Sequence, residues 1–156
     1  MESKFDKRTI FGLIIGTVLG IVIMTALMRS CSHSVFKFSE NVTYSDKDLQ
    51  QAAQYADKAC PQKVDDNTIL EHCKFADKSF VYQYQLTGIT VNSLDANVVR
   101  QSISESIPTK TDDNFKALVK QLIKKNYSLK YEYRDSLSET MAVTFNSNEL
   151  DSILKK

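Results

Sequence analysis

The longest uninterrupted run of apolar and uncharged positions lies near the amino terminus. Residues 10–28 contain no charged side chain. As a helix this segment would be about 28 Å long, close to the roughly 30 Å hydrocarbon core of a bilayer. A helix also satisfies its own backbone polar groups, as a membrane-spanning segment must. The pattern therefore predicts a transmembrane helix that holds everything after Met28 at a membrane surface.

Three glycines recur within this apolar segment at intervals of four residues: Gly12, Gly16 and Gly20. At that spacing they lie on one helical face and allow a second backbone to approach closely. We therefore expect a helix–helix interface and a parallel homodimer, in which Cys31 of one copy lies near Cys31 of the other. The alternative is that glycine is simply frequent in transmembrane helices.

The basic residues around the apolar segment predict its orientation. Lys4, Lys7 and Arg8 precede it, and only Arg29 and Lys37 follow it before residue 40. Because positive charge favours the cytoplasmic side, the amino terminus is predicted to be cytoplasmic. We expect a single-pass protein of the bacterial inner membrane with its carboxyl-terminal domain in the periplasm. The predicted organisation is a cytoplasmic tail (1–9), a transmembrane helix (10–28), a stalk (29–44) and an exported domain (45–156).

Two alternatives to a retained anchor are a cleaved signal peptide and a lipid anchor. A signal peptide fits less well, because its apolar region is usually about 7 to 15 residues long and ends in an A-x-A-like site. The lipid anchor would attach to Cys31, which follows a sequence that partly matches a bacterial lipobox. That alternative corresponds to a lipoprotein-like chaperone or pilotin.

Beyond residue 44 the apolar positions change between two periods. Helical spacing predicts helices over about 46–59, 95–107 and 111–125, and a short helix from Ser147. Clean alternation predicts strands over 80–86 and within 129–145. The pattern over 68–75 is mixed, but this segment is close enough to 80–86 to form a hairpin with it, and the region 129–145 is predicted to fold as a second hairpin. The predicted fold class is α+β, with a small antiparallel sheet of about four strands covered by helices on one face.

Tyrosines occur in pairs on two of the predicted strands, as Tyr82 and Tyr84 and as Tyr131 and Tyr133. If the two strands are neighbours, the rings would form an aromatic platform and a candidate binding patch for a protein or an envelope component. The alternative is that the rings cover the sheet beneath the helices as part of the core.

A family resemblance is carried by Pro61, Asp65 and Thr68 ahead of the segment Phe80–Tyr84, and by the later segment Leu129–Asp135. The arrangement resembles small uncharacterised bacterial envelope proteins with a lipid or single-helix anchor and paired Y-x-Y strands. It covers about residues 59–150. No activity and no site residue is implied by this resemblance.

Two of the three cysteines fall inside the predicted domain. In an oxidising compartment Cys60 and Cys73 would close a loop of about a dozen residues, and a disulfide there would contribute about 3 kcal/mol. The alternative is a pair of reduced, half-buried thiols. Cys31 would then remain as the odd thiol.

The charge distribution and the residue composition limit the classes of function that the sequence supports. Residues 35–156 carry 16 basic and 17 acidic side chains, with the signs interspersed, so no nucleic-acid partner is expected. The sequence has two histidines and lacks the spacings of metal, cofactor and phosphate sites, so we expect no enzyme, no metal and no cofactor. The alternative is a small envelope enzyme that uses carboxylates or a thiol, such as Cys73 beside His72.

The function predicted from the sequence is therefore non-catalytic. The exported domain is expected to bind or position another, unknown envelope protein in a membrane-associated assembly. The apolar segment 10–28 supplies the membrane attachment.

Overall fold

A computed structural model describes residues 36–39, 41–109 and 113–155, and within them the chain forms five β-strands and four α-helices. A short 3-10 helix spans Val91–Ser93. The elements are, in chain order, α1 (Asp46–Asp57), β1 (Gln62–Asp65), β2 (Thr68–Ala76), β3 (Ser79–Leu86), α2 (Ala96–Thr109), α3 (Asp113–Lys125), β4 (Ser128–Arg134), β5 (Thr140–Phe145) and α4 (Ser147–Leu154).

All five strands belong to one mixed sheet with the order β1-β2-β3-β4-β5. The α+β class is confirmed, whereas the expectation of about four strands, all antiparallel, is wrong. The two predicted hairpins are present as β2–β3 and β4–β5, but β3 and β4 run parallel, with Ser79 opposite Ser128. The connection between them contains α2 and α3, which return the chain to the end where β3 began. A crossover of this kind is what a parallel pair requires.

The fifth strand, β1, is the one that periodicity did not predict. It has four residues, and Val64 is its only buried side chain. A strand this short carries too few positions to show an alternating pattern. Its pairing with β2 follows a tight turn, in which the Asn67 amide donates to Asp65 Oδ1 at 2.8 Å.

The predicted helix starts are well supported by side-chain caps. At α1, Asp48 N donates to Ser45 Oγ, and Ser45 N donates to Asp48 Oδ2, which completes a capping box. The same arrangement at α4 uses Asn146 and Glu149, so the cap is Asn146 rather than Ser147. Each box pairs amide hydrogens that the first turn of a helix leaves without a partner.

The hydrophobic core lies between the helices and one face of the sheet. Each helix contributes a side chain that is fully or almost fully buried: Leu49, Ile107, Leu122 and Leu150. These side chains belong to the same cluster as the buried residues of β2 to β5. The helices therefore cover one face, as the sequence predicted, and the side chains of the other face point away from the core.

None of the helices in the described part of the chain is long and apolar enough to cross a membrane. The predicted span 10–28, with Gly12, Gly16 and Gly20, lies outside the described residues, and so does Cys31. The anchor, the glycine interface and the role of Cys31 therefore stay predictions.

Candidate functional site

The four paired tyrosines lie side by side on the helix-covered face of β3 and β4. Tyr82 is opposite Tyr131, and Tyr84 is opposite Tyr133, in the parallel register of the two strands. Ring centroids are 5.6 Å apart for Tyr82 and Tyr131 and 5.2 Å apart for Tyr84 and Tyr133. All four side chains are buried, with exposed fractions of 1–3%. The rings are thus neighbours, but they belong to the core and offer no surface to a partner.

Three of these tyrosine hydroxyls have no hydrogen-bond partner among the described residues: those of Tyr84, Tyr131 and Tyr133. Burial raises the pKa of all three, most strongly for Tyr84 and Tyr133, so the rings stay neutral. A buried hydroxyl without a partner loses its hydration without recovering a hydrogen bond. Packing, rather than polar bonding, therefore holds the stack.

Replacing Tyr133 by phenylalanine is expected to raise the free energy of unfolding by about 1 kcal/mol, because the unpaired hydroxyl is removed and the ring is kept. Tyr127→Phe is the matched control. Its hydroxyl donates to Asp46 Oδ1 at 2.8 Å, so we expect a fall in melting temperature of roughly 4 °C. Thermal and urea unfolding measure both variants, and destabilisation by Tyr133→Phe would show that this hydroxyl is bonded in solution.

The opposite face of the sheet, called the open face below, carries polar side chains from β2 to β5. It is the face that alternation directs away from the core. The strand register places its residues in three rows across the sheet. The rows are Ile69, Gln85, Arg134 and Thr140; His72, Gln83, Glu132 and Ala142; and Lys74, Val81, Lys130 and Thr144.

Glu132 is the centre of a polar network on the open face. Its carboxylate accepts a hydrogen bond of 2.6 Å from Gln83 Nε2 and forms ion pairs with Lys130 at 2.7 Å and Lys74 at 3.6 Å. Partial burial acts to raise the pKa of Glu132, but the hydrogen bonds from Lys130 and Gln83 and the charge of Lys74 lower it overall. The carboxylate is thus ionised at neutral pH, and its neighbours are held in place across three strands.

On the open face, the apolar Val81 lies between two lysines of the neighbouring strands. Val81 is only 3% exposed although it points away from the core, and its cross-strand neighbours are Lys74 and Lys130. Lysine stems readily lie over an apolar side chain while their ammonium groups stay in water. Together with Arg134, three basic side chains share these rows with the single carboxylate of Glu132, so the rows carry a net positive charge.

The two cysteines of the domain meet beside the end of α1. Cys73 is 4% exposed on β2, and Cys60 is half-buried just before β1. Both are free thiols in the structure, and the Cys60 thiol donates to the Ala56 carbonyl oxygen at 3.7 Å. The interaction between the two thiols lowers the pKa of Cys60 and, together with burial, raises the pKa of Cys73. The structure therefore brings the predicted disulfide partners together in reduced form, and the disulfide itself stays a prediction.

His72 and Cys73 are neighbours in sequence but point in different directions. The His72 ring is exposed, with Nδ1 3.0 Å from Asp57 Oδ1, whereas the Cys73 thiol is buried against Cys60. Asp57 Oδ1 also accepts from the Cys73 amide at 2.9 Å. β1 pairs with β2 only as far as Leu70, so this carboxylate occupies the strand edge that β1 leaves open. The arrangement holds the edge of β2, and the His72 ring is directed at Asp57 rather than at the thiol.

Ionisable side chains elsewhere in the domain do not assemble into a metal site. In residues 36–39, 41–109 and 113–155, no group of three or more histidine, cysteine, aspartate or glutamate side chains is arranged to hold a metal ion.

The open face is the surface feature that the sequence reading missed. The polar members of the two alternating patterns, such as Gln83 and Glu132, were visible in the sequence. What was not visible is that β3 and β4 are adjacent and parallel, which turns two separate rows into one surface. Gln83 and Glu132 are 49 residues apart in the sequence, so no local sequence pattern indicates that their strands are neighbours.

Comparisons with known proteins identify a matching family and a similar solved structure. A family model described as "Domain of unknown function (DUF8479)" matches residues 43–143. A crystal structure of a candidate secreted protein from Pseudomonas aeruginosa is similar, with 12% sequence identity and a TM-score of 0.53. The similarity covers 76% of this chain and 99% of that chain. No curated protein sequence matches the chain.

Proposed function

Because the chain belongs to the DUF8479 family, a domain of unknown function, and folds like a candidate secreted protein, we propose that it is an exported, membrane-anchored binding domain. The apolar segment 10–28 is the proposed anchor, with the amino terminus in the cytoplasm and the domain in the periplasm. The glycine face of that segment is the proposed homodimer contact.

The observation that carries the proposal is the open face of the sheet. It presents a fixed, mixed polar surface across four strands, with Glu132 held by three neighbours at its centre. Its basic residues outnumber its carboxylate in the central rows, which suits a partner protein with an acidic surface. The proposed role is to bind such a partner and to position it at the membrane.

The chemistry of the described residues supports binding rather than catalysis. The Cys73 thiol is buried, and the nearest histidine ring points to Asp57 instead. A thiolate nucleophile needs an accessible sulfur and an adjacent base or positive charge. The proposal therefore includes no enzymatic activity, no cofactor and no nucleic-acid partner.

Site-specific photo-crosslinking in native membranes tests the proposed partner surface. A photoreactive amino acid replaces Ala142, which is exposed on the open face, and the matched control replaces Gln101, which is exposed on α2. We expect a discrete crosslinked species from position 142 and none from position 101. Adding Arg134→Glu should reduce the species several-fold, because it reverses a charge at the same surface.

Two results would contradict the proposed partner surface. Equal crosslinking from positions 142 and 101 would show that the open face has no special role. A crosslink from position 142 that survives Arg134→Glu unchanged would show that an acidic partner surface is not what this face recognises.

A further inference from the structure

The segment before α1 is fixed to the domain rather than extended away from it. This N-terminal strap, residues 36–39 and 41–44, lies along α3. The Phe38 amide donates to Asn114 Oδ1 at 2.6 Å, and Asn114 Nδ2 donates to the Phe36 carbonyl at 3.2 Å. Two helical turns further on, Gln121 Nε2 donates to the Val42 carbonyl at 2.7 Å. The strap therefore begins at the amino-terminal end of α3 and runs towards its carboxyl-terminal end.

An aromatic cluster marks the place where the strap begins. It consists of Phe36, Phe38 and Tyr44 from the strap and Tyr55 from α1, all half-buried. The Phe36 ring centroid lies 4.9 Å from that of Phe38, 5.8 Å from that of Tyr44 and 6.3 Å from that of Tyr55. These rings pack on one another while keeping part of their surface outside the core.

Basic and apolar groups border the aromatic cluster. Lys58 Nζ lies 4.9 Å from the centroid of the Tyr55 ring, and Lys37 is exposed between the two phenylalanines. Val42, further along the strap, is 47% exposed. Phenylalanine and tyrosine rings flanked by lysine side chains are the chemistry that the headgroup region of a bilayer accepts.

The length of chain before the strap decides which end of the domain faces the membrane. Seven residues, 29–35, separate the apolar segment from Phe36. They reach at most about 28 Å when fully extended, and roughly 15 Å as a flexible chain. A domain of this size is about 35 Å across. The end of the domain where the strap begins is therefore the end closest to the bilayer, and the opposite end faces away from it.

We propose that the aromatic cluster is a membrane-contact surface, seated in the headgroup region of the same bilayer that holds residues 10–28. This inference rests on the proposed anchor. It orients the domain with the start of α3 next to the membrane and the end of α3 away from it.

The chain contains no tryptophan, so a single introduced tryptophan reports its own surroundings. The full chain is reconstituted in vesicles of phosphatidylcholine and phosphatidylglycerol, with a fraction of the lipids brominated in the upper part of their acyl chains. The probe is Phe36→Trp, and the second probe is the exposed neighbour Lys37→Trp. Flotation of the vesicles in a density gradient measures whether the chain is anchored.

The matched control is Asn148→Trp, an exposed position in α4. The adjacent Ser147 hydroxyl donates to Asn126 Oδ1, which follows the carboxyl-terminal end of α3. That end lies roughly 18 Å along the helix from Asn114. We expect brominated lipid to quench tryptophan at position 36 or 37 at least twofold more than tryptophan at position 148.

The outcomes separate the inference from the anchor. Flotation with preferential quenching at positions 36 and 37 supports the membrane-contact surface. Flotation with equal or no quenching at all three positions overturns it and leaves the anchor in place. If the tryptophan at position 36 is shielded from water but is not quenched by brominated lipid, the cluster contacts a protein instead, which also overturns the inference. A chain that does not float overturns the anchor and the inference together.

Discussion

The melting temperature of the Asp135→Ala variant should be lower than that of the wild type by about 10 °C or more. This is the largest effect that we expect from a single substitution at a buried position. Asp135 is only 1% exposed, and its carboxylate accepts three backbone hydrogen bonds. The Val91 amide donates to Oδ2 at 2.8 Å, and the amides of Leu137 and Glu139 donate to Oδ1 at 2.9 and 3.0 Å. Alanine would leave three donors without a partner, and thermal unfolding measures the loss.

The pH dependence of this loss has a definite sign. Burial acts to raise the pKa of Asp135, but the three backbone donors outweigh it and lower the pKa overall. A carboxyl with a lower pKa in the folded state stabilises the fold fully above its unfolded pKa of about 4, and the contribution disappears as the pH falls through the folded pKa. The difference in melting temperature between wild type and Asp135→Ala should therefore shrink below about pH 4.

Asp151→Ala is the matched control for Asp135→Ala. The Asp151 carboxylate forms an exposed ion pair with Lys155 at 2.5 Å, four residues along α4. Exposed pairs of this kind contribute little, so we expect a change of no more than about 2 °C. Equal effects of the two alanine substitutions would contradict the structural role that the three backbone contacts give to Asp135.

The contacts of Asp135 also show which interactions could not be predicted from the sequence. The sequence predicted a hairpin over 129–145, and β4 and β5 form it with their turn at residues 135–139. Two of the three donors to its carboxylate lie within that turn, but the third, Val91, is 44 residues away. The local turn is encoded in neighbouring residues, whereas the bond to Val91 exists only because the sheet is assembled. The same holds for the contacts of the N-terminal strap with Asn114 and Gln121.

The elements that the sequence predicted correctly share a local physical cause. Helix α1 begins with the Ser45 capping box and shows the helical apolar spacing, and both signals lie within one segment. Strands β2 and β3 are joined by a two-residue turn, Asp77 and Lys78, in which both residues have positive φ angles. Turns of this type favour hairpins, so the pairing is local as well.

The sheet order and the two surfaces depended on non-local pairing. Apolar alternation places Tyr82 and Tyr131 on strands, but it does not tell which face the helices cover or which strands are adjacent. The tyrosine rings are buried because the helices pack on their face of the sheet, whereas the parallel pairing of β3 with β4 joins the residues of the other face into one surface. The proposed binding surface is therefore formed by the polar residues that alternate with the tyrosines, because the tyrosine rings are buried.

The disulfide between Cys60 and Cys73 is the second large effect that we expect. In an oxidising compartment the two thiols would lose two protons and two electrons to a disulfide-bearing oxidant, which leaves as two thiols while a sulfur–sulfur bond forms. The contact of the two side chains in the reduced structure makes them suitable partners. The loop so closed contains about 14 residues, for which the chain-entropy model predicts a stabilisation of about 3 kcal/mol.

Thiol counting and urea unfolding measure this effect on the full chain purified from the membrane fraction. Under denaturing, non-reducing conditions we expect one reactive thiol per monomer, Cys31. Reduction, or Cys60→Ser, should lower the free energy of unfolding by about 3 kcal/mol, because the unfolded chain regains the freedom that the closed loop had removed.

Cys31→Ser is the matched control, since this cysteine precedes the N-terminal strap by several residues. It should remove the single reactive thiol and leave the free energy of unfolding of the domain unchanged. Three reactive thiols in the exported wild type, together with equal stability of the wild type and Cys60→Ser, would establish that Cys60 and Cys73 act as a reduced pair. Their contribution would then be confined to the packing of Cys73 in the core and of Cys60 against it.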